Sequence, residues 1–380
     1  MNASPKTWTI LGAAGPSGSA LVERLLLGTA TDGDRLVLVD PDGEALGSLV
    51  ASLGSQASRV RAEVSEAGSE VAAVAFAESF AVVDASAAHG EQRLALARAA
   101  LAGGAHWVDL CDRRATPEEV SELDGAATAA ERVALTSAGL HCALTAAFAR
   151  TMVDGLVRTN EILIGVIRDP AKAGATALTG WLERFGERPK LLIGGEWSQR
   201  APFGDRRRFP HPGAHADLFA ENFDVPEHDL FTERPYRATS VRVSLSIPGR
   251  LERSALHRAG KRVATGKADA GREARKLARF SKLIGRGNRP SVVTLIVRGI
   301  DPDRLPRERR LSLLAPTGLA ALDAIPAGLC LNRLARGEFA EPGVQPVVQA
   351  LEAAELESEL SAAGVTVTRG DLSGWRAPGA

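Results

Sequence analysis

Apolar runs alternate with helix-like stretches over residues 1–150. Runs typical of buried strands occur at 7–11, 34–40, 58–66, 80–87, 105–112 and 131–139. The first is followed by a segment in which Leu21 and Leu25 lie four residues apart, on one face of a predicted helix. Alternation of this length predicts an α/β fold with a Rossmann-type, doubly wound parallel sheet. Ligands of such sheets bind beyond the carboxyl ends of the strands.

Four further apolar stretches follow residue 150, at 161–169, 189–197, 238–247 and 291–300. They predict a mixed or antiparallel sheet in a second, α+β domain. A later helical pattern at 316–339 is interrupted by Pro326, and Gly337 is placed to end it. The pattern therefore separates a dinucleotide-type domain at 1–150 from a substrate and dimerisation domain at 151–314.

Composition narrows the classes of protein that are possible. The 380 residues are 45% hydrophobic and 24% charged, with 46 basic and 46 acidic side chains, so no global field favours nucleic acid or a membrane. Three cysteines without CxxC spacing predict neither a metal site nor disulfides. No signal peptide or apolar span is apparent at sequence level, so we expect a cytoplasmic protein.

The turn after the first strand carries glycines at Gly12, Gly15 and Gly18. Glycine there allows a tight turn, close approach of a pyrophosphate and close packing of helix on strand. Ala14, Pro16 and Ser17 complete the predicted phosphate loop, and the N–H groups of the helix start face the phosphates. Glycines also occur in ordinary turns. The spacing predicts a phosphate loop here because a strand precedes it and a helix follows it.

Asp40 ends the second strand about 20 residues beyond the last glycine, where a ribose-binding carboxylate is expected. Such a carboxylate accepts hydrogen bonds from the ribose hydroxyls and repels a 2′-phosphate, which favours NAD over NADP. The alternative interpretation is that Asp40 only opens the turn that follows it.

Three segments resemble the saccharopine dehydrogenase-like oxidoreductases, which include the saccharopine reductase and carboxynorspermidine dehydrogenase types. They are the loop GAAGPSG, the stretch VVDASAAHGEQRLALARAALAGGAHWVDLCD and the corner TSAGLHCALTAAFAR. A weaker similarity runs from RRLSLLAPTG to GVQPV. The resemblance implies that C-terminal helices at 315–380 return to the first domain, and homodimers are common among such proteins.

The resemblance also implies an enzyme that moves a hydride between a nicotinamide cofactor and an imine, amine, carbonyl or alcohol carbon. Its substrate is expected to be a small metabolite that carries a carboxylate or an amine. Contacts with the cofactor carry over to the phosphate loop, to the segment Ala85, Ser86, Ala87 and Ala88 near the nicotinamide ribose, and to Gly139 at the corner.

The sequence departs from the family at the strand ends, where substrate is expected. Ala88-His89, Asp112-Arg113 and His141-Cys142-Ala143 replace the family's G-P, G-E and D-P-G. Imine reduction needs an acid near the nitrogen, and His141 is the first candidate because it lies just past a strand end. Asp112 is the second candidate and His89 the third, although His89 is also placed to cap a helix.

Two rival interpretations stay open. Cys142 beside His141, at a helix start, fits the nucleophile of a semialdehyde-dehydrogenase-type enzyme. A Rossmann protein with altered strand ends also fits a dinucleotide-binding protein without catalysis.

Two basic regions of the second half carry further expectations. The irregular loop at 197–219 offers candidates for binding a substrate carboxylate, namely Arg206, Arg207, Arg208, His211 and His215. Residues 250–289 are strongly basic with a helical pattern, which allows nucleic-acid or membrane contact. We predict instead a charge-rich helical excursion over the second sheet, with neither partner.

Overall fold

The computed structural model describes residues 5–29, 33–86, 88–212, 219–284 and 290–376. The chain divides into two compact units. The first contains Met1–Leu144 and Ala320–Glu352, and the second contains Thr145–Leu319 and Ala353–Ala380. Residues 353–380, which the resemblance assigns to the first domain, therefore group with the second, where they add two strands to its sheet.

A seven-stranded parallel sheet forms the first unit, in the order β15-β6-β5-β4-β1-β2-β3. Its strands are β1 (Thr7–Leu11), β2 (Arg35–Asp40), β3 (Val60–Val64), β4 (Ala81–Asp84), β5 (His106–Asp109), β6 (Val133–Leu135) and β15 (Gly343–Gln345). Its helices are α1 (Pro16–Arg24), α2 (Gly43–Ser52), α3 (Glu70–Ala77), α4 (Gly90–Ala102), α5 (Pro117–Ala129) and α11 (Ala320–Ala335). The doubly wound parallel sheet is thus confirmed.

Strand β15 was not predicted, because three residues leave no periodicity to recognise. It pairs with β6, and Asp124 of α5 accepts a hydrogen bond from the Val344 N–H at 2.8 Å. Gly343 adopts φ +109°, and a Cβ there would lie 2.6 Å from the Asp124 carboxylate. Only glycine therefore lets this late segment join the sheet.

Helix α11 runs through Pro326 without a break, contrary to the interruption expected from sequence. It packs on α1, and Gly328 faces the Arg24 side chain, whose Nε would lie 2.6 Å from a Cβ at this position. Gly337 follows the helix with φ +72°, the left-handed conformation that glycine adopts without strain.

The second unit contains a ten-stranded mixed sheet, which confirms the predicted class. The main order is β10-β11-β12-β7-β13-β14-β16-β17, and β8 pairs with both β12 and β9. The strands are β7 (Arg158–Ile167), β8 (Lys190–Ile193), β9 (Glu196–Gln199), β10 (Arg207–Arg208), β11 (Phe219–Asn222), β12 (Ser240–Ser246), β13 (Ser291–Ile300), β14 (Pro306–Ala315), β16 (Thr366–Asp371) and β17 (Gly374–Trp375). The helices are α6 (Thr145–Val153), α7 (Pro170–Glu183), α8 (Glu227–Leu230), α9 (Arg250–Ala264), α10 (Ala270–Ile284) and α12 (Ala353–Ala362).

Strand register gives this second sheet two different faces. One face is apolar and includes Ile164, Val243 and Leu295. The opposite face, here called the polar face, carries Glu161, Asn222, Arg242, Ser244, Thr294, Arg298 and Ser312. Many of these polar side chains are buried, so their hydrogen-bond partners matter for stability.

The segment 189–199 forms a hairpin rather than the single strand expected. Gly194 and Gly195 both have positive φ and turn the chain between β8 and β9. The loop that follows packs on the polar face. Phe209 lies over Gly165, where a Cβ would be 2.5 Å from the ring, and His211 Nδ1 is 2.7 Å from Thr294 Oγ1. His215 lies outside the described residues.

The basic segment forms helices α9 and α10, which pack on α7 as a helical excursion. Its lysines and arginines are mostly exposed, and Glu273 binds both Arg262 and Lys276. Within the described part of the chain, no helix is both long enough and apolar enough to cross a membrane.

Candidate functional site

The glycine loop joins β1 to α1 in a conformation that requires its glycines. Gly12 adopts φ +69°, and a Cβ there would lie 2.6 Å from Ser86 Cα. A Cβ on Gly18 would lie 2.2 Å from the Gly12 carbonyl oxygen. Gly15 is the N-cap of α1, with Pro16 as the first helical residue, and its N–H donates to the Gly12 oxygen at 3.1 Å. These close contacts fix the conformation of the loop and the position of the first turn of α1.

Asp40 is buried at the end of β2, and both of its carboxylate oxygens accept backbone hydrogen bonds. Oδ2 accepts from the Ala14 N–H and Oδ1 from the Asp42 N–H, each at 3.0 Å. Asp40 therefore opens the following turn and also holds the glycine loop. An ionised carboxylate has about four acceptor positions, so these contacts leave room for further donors.

The same turn recurs at the ends of three strands of this sheet. Strands β2, β4 and β5 all end in Val-Asp, and each aspartate accepts from the N–H two residues later. For Asp84 the donor is Ser86 at 2.8 Å, and for Asp109 it is Cys111 at 3.1 Å. Aspartate favours this local turn because its short side chain reaches its own backbone.

Asp109 also connects neighbouring strand ends. Its Oδ1 accepts from the Ser137 N–H at 3.0 Å, and its carbonyl oxygen accepts from Ala138 at 2.8 Å. The carboxylate is fully buried and lies 3.9 Å from the Arg93 guanidinium. The corner after β6 is therefore fixed by the strand beside it.

Burial raises the pKa of Asp84 to about 6, and the nearby charge of Asp109 acts in the same direction. Two hydrogen bonds from Ser86, one from its N–H and one from its hydroxyl, oppose this rise. The carboxyl group at the end of β4 therefore takes up a proton at a higher pH than an ordinary aspartate does.

The corner at 137–144 is strained. Ser137 has φ +54° and Cys142 has φ +69° with ψ −66°, a conformation that residues other than glycine rarely adopt. Proline cannot reach this φ, so Cys142 does not correspond in backbone conformation to the proline of the resembling corner. The Leu144 N–H donates to the Gly139 oxygen at 3.2 Å and closes the turn.

Asp323 is a residue that the sequence pattern did not single out. Its carboxylate accepts from the Ser17 hydroxyl at 2.7 Å and from the Leu140 N–H at 3.0 Å. A Cβ on Gly139 would lie 3.0 Å from the same carboxylate. Asp323 on α11 thereby joins the glycine loop to the corner, across 306 residues of sequence.

The three catalytic candidates follow the carboxyl ends of three adjacent strands of the sheet. His89 comes after β4, Asp112 after β5 and His141 after β6. His141 is buried, whereas His89 and Asp112 are half-buried. His89 is the N-cap residue of α4, as expected, but its side chain makes no capping hydrogen bond.

The other predicted contacts with the cofactor include the loop after β4, and the cysteines lie nearby or elsewhere in the interior. Ala85, Ser86 and Ala88 lie in the loop after β4, and the Cys111 thiol is 3.6 Å from the Ala88 oxygen. Ala87 lies outside the described residues. All three cysteines are buried and form no disulfide, and burial raises the pKa of Cys111 to about 12. The described residues contain no group of three or more His, Cys, Asp or Glu that could hold a metal ion.

Comparison with known proteins gives two findings. The family model for the saccharopine dehydrogenase NADP binding domain matches residues 8–135. The structure of apo saccharopine dehydrogenase (L-Glu forming) from Saccharomyces cerevisiae is similar with a TM-score of 0.63 and 12% identity. The similarity covers 97% of this chain and 100% of that one, and at this identity it concerns the fold.

Residues 8–135 are therefore similar to a saccharopine dehydrogenase NADP binding domain. This stretch includes most of β1 and the whole of β2 to β6, and the fold shared with the yeast structure extends over both units. A meso-dapdh mutant with DAP from Clostridium tetani E88 is similar at a TM-score of 0.44 and 11% identity, covering 92% and 95% of the two chains. That similarity is too weak to support a conclusion about this chain. No curated protein matches the sequence.

Substitution of two glycines should test how tightly the glycine loop is packed. We expect Gly12→Ala to lower the free energy of unfolding by about 2–4 kcal/mol, because a Cβ meets backbone at positive φ. Gly15→Ala should cost about 1 kcal/mol or less, because its φ of −68° suits alanine. Urea denaturation of both variants measures this, and equal losses would contradict the steric account.

The titration of Asp84 should make stability depend on pH. Because its pKa in the folded state is about 6 instead of 3.8, folding becomes less favourable as pH rises through that window. Asp84→Asn removes the titration and keeps an acceptor for Ser86. We therefore expect the free energy of unfolding of the variant to exceed that of the wild type by about 3 kcal/mol at neutral pH and to match it below about pH 4. A difference that is the same at both pH values would contradict this.

Proposed function

We propose that this protein is an NAD-dependent oxidoreductase that transfers a hydride to or from an imine, amine, carbonyl or alcohol carbon of a small, amino-acid-like metabolite. The observation that carries the proposal is the glycine loop at the start of α1, held between Ser86 and Asp40. Its match to a saccharopine dehydrogenase NADP binding domain supports a nicotinamide dinucleotide as the cofactor.

The residues of the loop fit such a cofactor. The first-turn N–H groups of α1 have no partner within the helix, and the helix dipole favours a pyrophosphate there. Gly15 carries no side chain at this point, so a phosphate can approach the backbone. Ser17 and Gly18 belong to the same first turn and would hold the phosphates.

Two acidic residues at the end of β2 favour NAD over NADP. Asp40 lies at the strand end, and Asp42 caps α2 by accepting from the Ala45 N–H at 3.0 Å. Both carboxylates would repel a 2′-phosphate, whereas ribose hydroxyls can donate to Asp40. The preference for NAD is therefore our proposal despite the NADP in the name of the matching family.

The nicotinamide ring supplies the hydride chemistry when the cofactor is bound. The chain must place the substrate and move one proton, and His141 is our first candidate for that proton transfer. Its backbone is fixed by the corner that Asp109 and Asp323 hold. Asp112 and His89, after the two neighbouring strands, are the second and third candidates.

A covalent role for Cys142 is the alternative. Its thiol is buried, as structural rather than reactive cysteines are. A dinucleotide-binding protein without catalysis is the other alternative. The cytoplasmic location and the homodimer stay predictions.

Cofactor preference tests the role of Asp40. Asp40→Asn keeps one acceptor oxygen but removes the negative charge, so we expect the ratio of NADPH to NADH dissociation constants to fall at least about tenfold. Fluorescence titration with each reduced cofactor measures both constants. Asp40→Ala should weaken both cofactors, because the Ala14 N–H also loses its acceptor. An unchanged ratio in Asp40→Asn would remove the carboxylate from the ribose site.

Turnover tests the proposed residues. Screening amine and keto-acid pairs for consumption of NADH identifies a substrate, and complete lack of turnover with tight NADH binding would favour the non-catalytic alternative. With that substrate, His141→Gln should lower kcat by about 10²–10⁴-fold, the usual contribution of general acid–base catalysis. Cys142→Ala should keep full activity, and an inactive but folded Cys142→Ala would instead support the covalent alternative.

A further inference from the structure

The polar face of the second sheet carries two buried side chains with unfilled hydrogen-bond donors. Arg242 on β12 is 7% exposed, and Asn222 on β11 is 1% exposed. Among the described residues, neither Nε nor Nη1 of Arg242 has a hydrogen-bond partner, and neither does Nδ2 of Asn222. Buried donors without an acceptor are costly, so their presence calls for an explanation.

Register brings these donors close to each other. Asn222 lies opposite Ser244, and Arg242 precedes Ser244 by two residues on the same strand and face. Diagonal neighbours of this kind in a sheet are about 7–8 Å apart, within reach of a long side chain. One small acceptor group can therefore receive hydrogen bonds from both Arg242 and Asn222.

The nearest carboxylates do not satisfy Arg242. Glu161 Oε1 is 3.7 Å from Nε and Asp205 Oδ2 is 4.0 Å from Nη1, both too far for hydrogen bonds. Glu161 is engaged elsewhere, because its Oε2 accepts from Arg298 Nη1 at 2.9 Å. The guanidinium thus forms long ion pairs with both acids but is hydrogen-bonded to neither of them.

Further positive charge surrounds Arg242. Burial, and next the charge of Arg207, lowers the pKa of the Arg242 guanidinium, and Arg200 adds to this effect. Arg207 lies on β10 at the edge of the sheet and is exposed, as is Arg200. The charges of Glu161 and Asp205 act in the opposite direction, and a bound anion would further offset the repulsion among the three arginines.

We propose that Arg242, Asn222 and Arg207 form a binding site for a carboxylate group of a small metabolite. The buried guanidinium and amide donate to its oxygens, and Arg207 adds charge from the exposed edge. A carboxylate suits the site better than a phosphate, because a single negative charge is repelled less by Glu161 and Asp205. That this metabolite is the substrate of the reaction rests on the proposed function.

The test is calorimetric titration of the full-length protein with glutarate, in the absence of any nicotinamide cofactor. Glutaramide, which has the same shape without charge, and inorganic phosphate are the comparison probes. We expect glutarate to bind and the other two to bind at least about tenfold more weakly. Absence of glutarate binding, or tighter binding of phosphate, would overturn the proposal.

Three variants identify the residues. Arg242→Gln should weaken glutarate binding by about 10- to 100-fold, the usual effect of losing a hydrogen bond to a charged group. Arg207→Gln changes an exposed residue and should weaken it less, which keeps the test decisive if Arg242→Gln does not fold. Arg369→Gln, which removes an arginine of β16 that is paired with Glu357 of α12, is the matched control and should bind as the wild type does. Equal affinity in Arg207→Gln and wild type would count against the site.

The titration separates this proposal from the proposed function. Because no cofactor is present, loss of NADH binding or of turnover does not affect the result. Glutarate binding in a protein that binds no NADH would support the site and overturn the oxidoreductase, whereas NADH turnover without glutarate binding would do the reverse.

Discussion

Three carboxylates at the carboxyl edge of the parallel sheet hold the site together. Asp40, Asp84 and Asp109 each end a strand, and each accepts from the backbone two residues further on. Two of them also reach a neighbouring loop, since Asp40 binds the glycine loop and Asp109 binds the corner after β6. Backbone groups that leave a parallel sheet need such partners, because the ladder of the sheet no longer satisfies them. The positions of the loops therefore follow from the strand ends.

Much of this unit could be predicted from sequence, because buried parallel strands are continuous apolar runs and tight turns need glycine. Gly12 and Gly18 fill the steric roles expected of them. The role of Asp323 could not be predicted, because its partner Ser17 lies 306 residues away and no local pattern connects them. For Asp40, sequence offered ribose binding or turn formation as alternatives, and the carboxylate has enough acceptor positions for both.

The second unit was predictable only in class. Its long strands β7, β12 and β13 have clear apolar alternation, whereas β10 and β17 are two residues each and have none. The polar face depends on register, which the sequence does not show until the pairing is known. For the same reason, the sequence does not distinguish Arg206, Arg207 and Arg208 from one another. Strand pairing shows that Arg207 is the one whose charge acts on Arg242.

The discontinuity of the first unit has a consequence for how the chain acquires its structure during synthesis. Residues 1–144 supply six strands, but β15 and α11 come from Ala320–Glu352. Until those residues leave the ribosome, the edge of β6 lacks its partner strand and the Ser17 hydroxyl lacks its carboxylate. The second unit is nearly complete by then, since Thr145–Leu319 precedes the returning segment. The nucleotide-binding unit, first in sequence, is thus among the last parts of the protein to be finished.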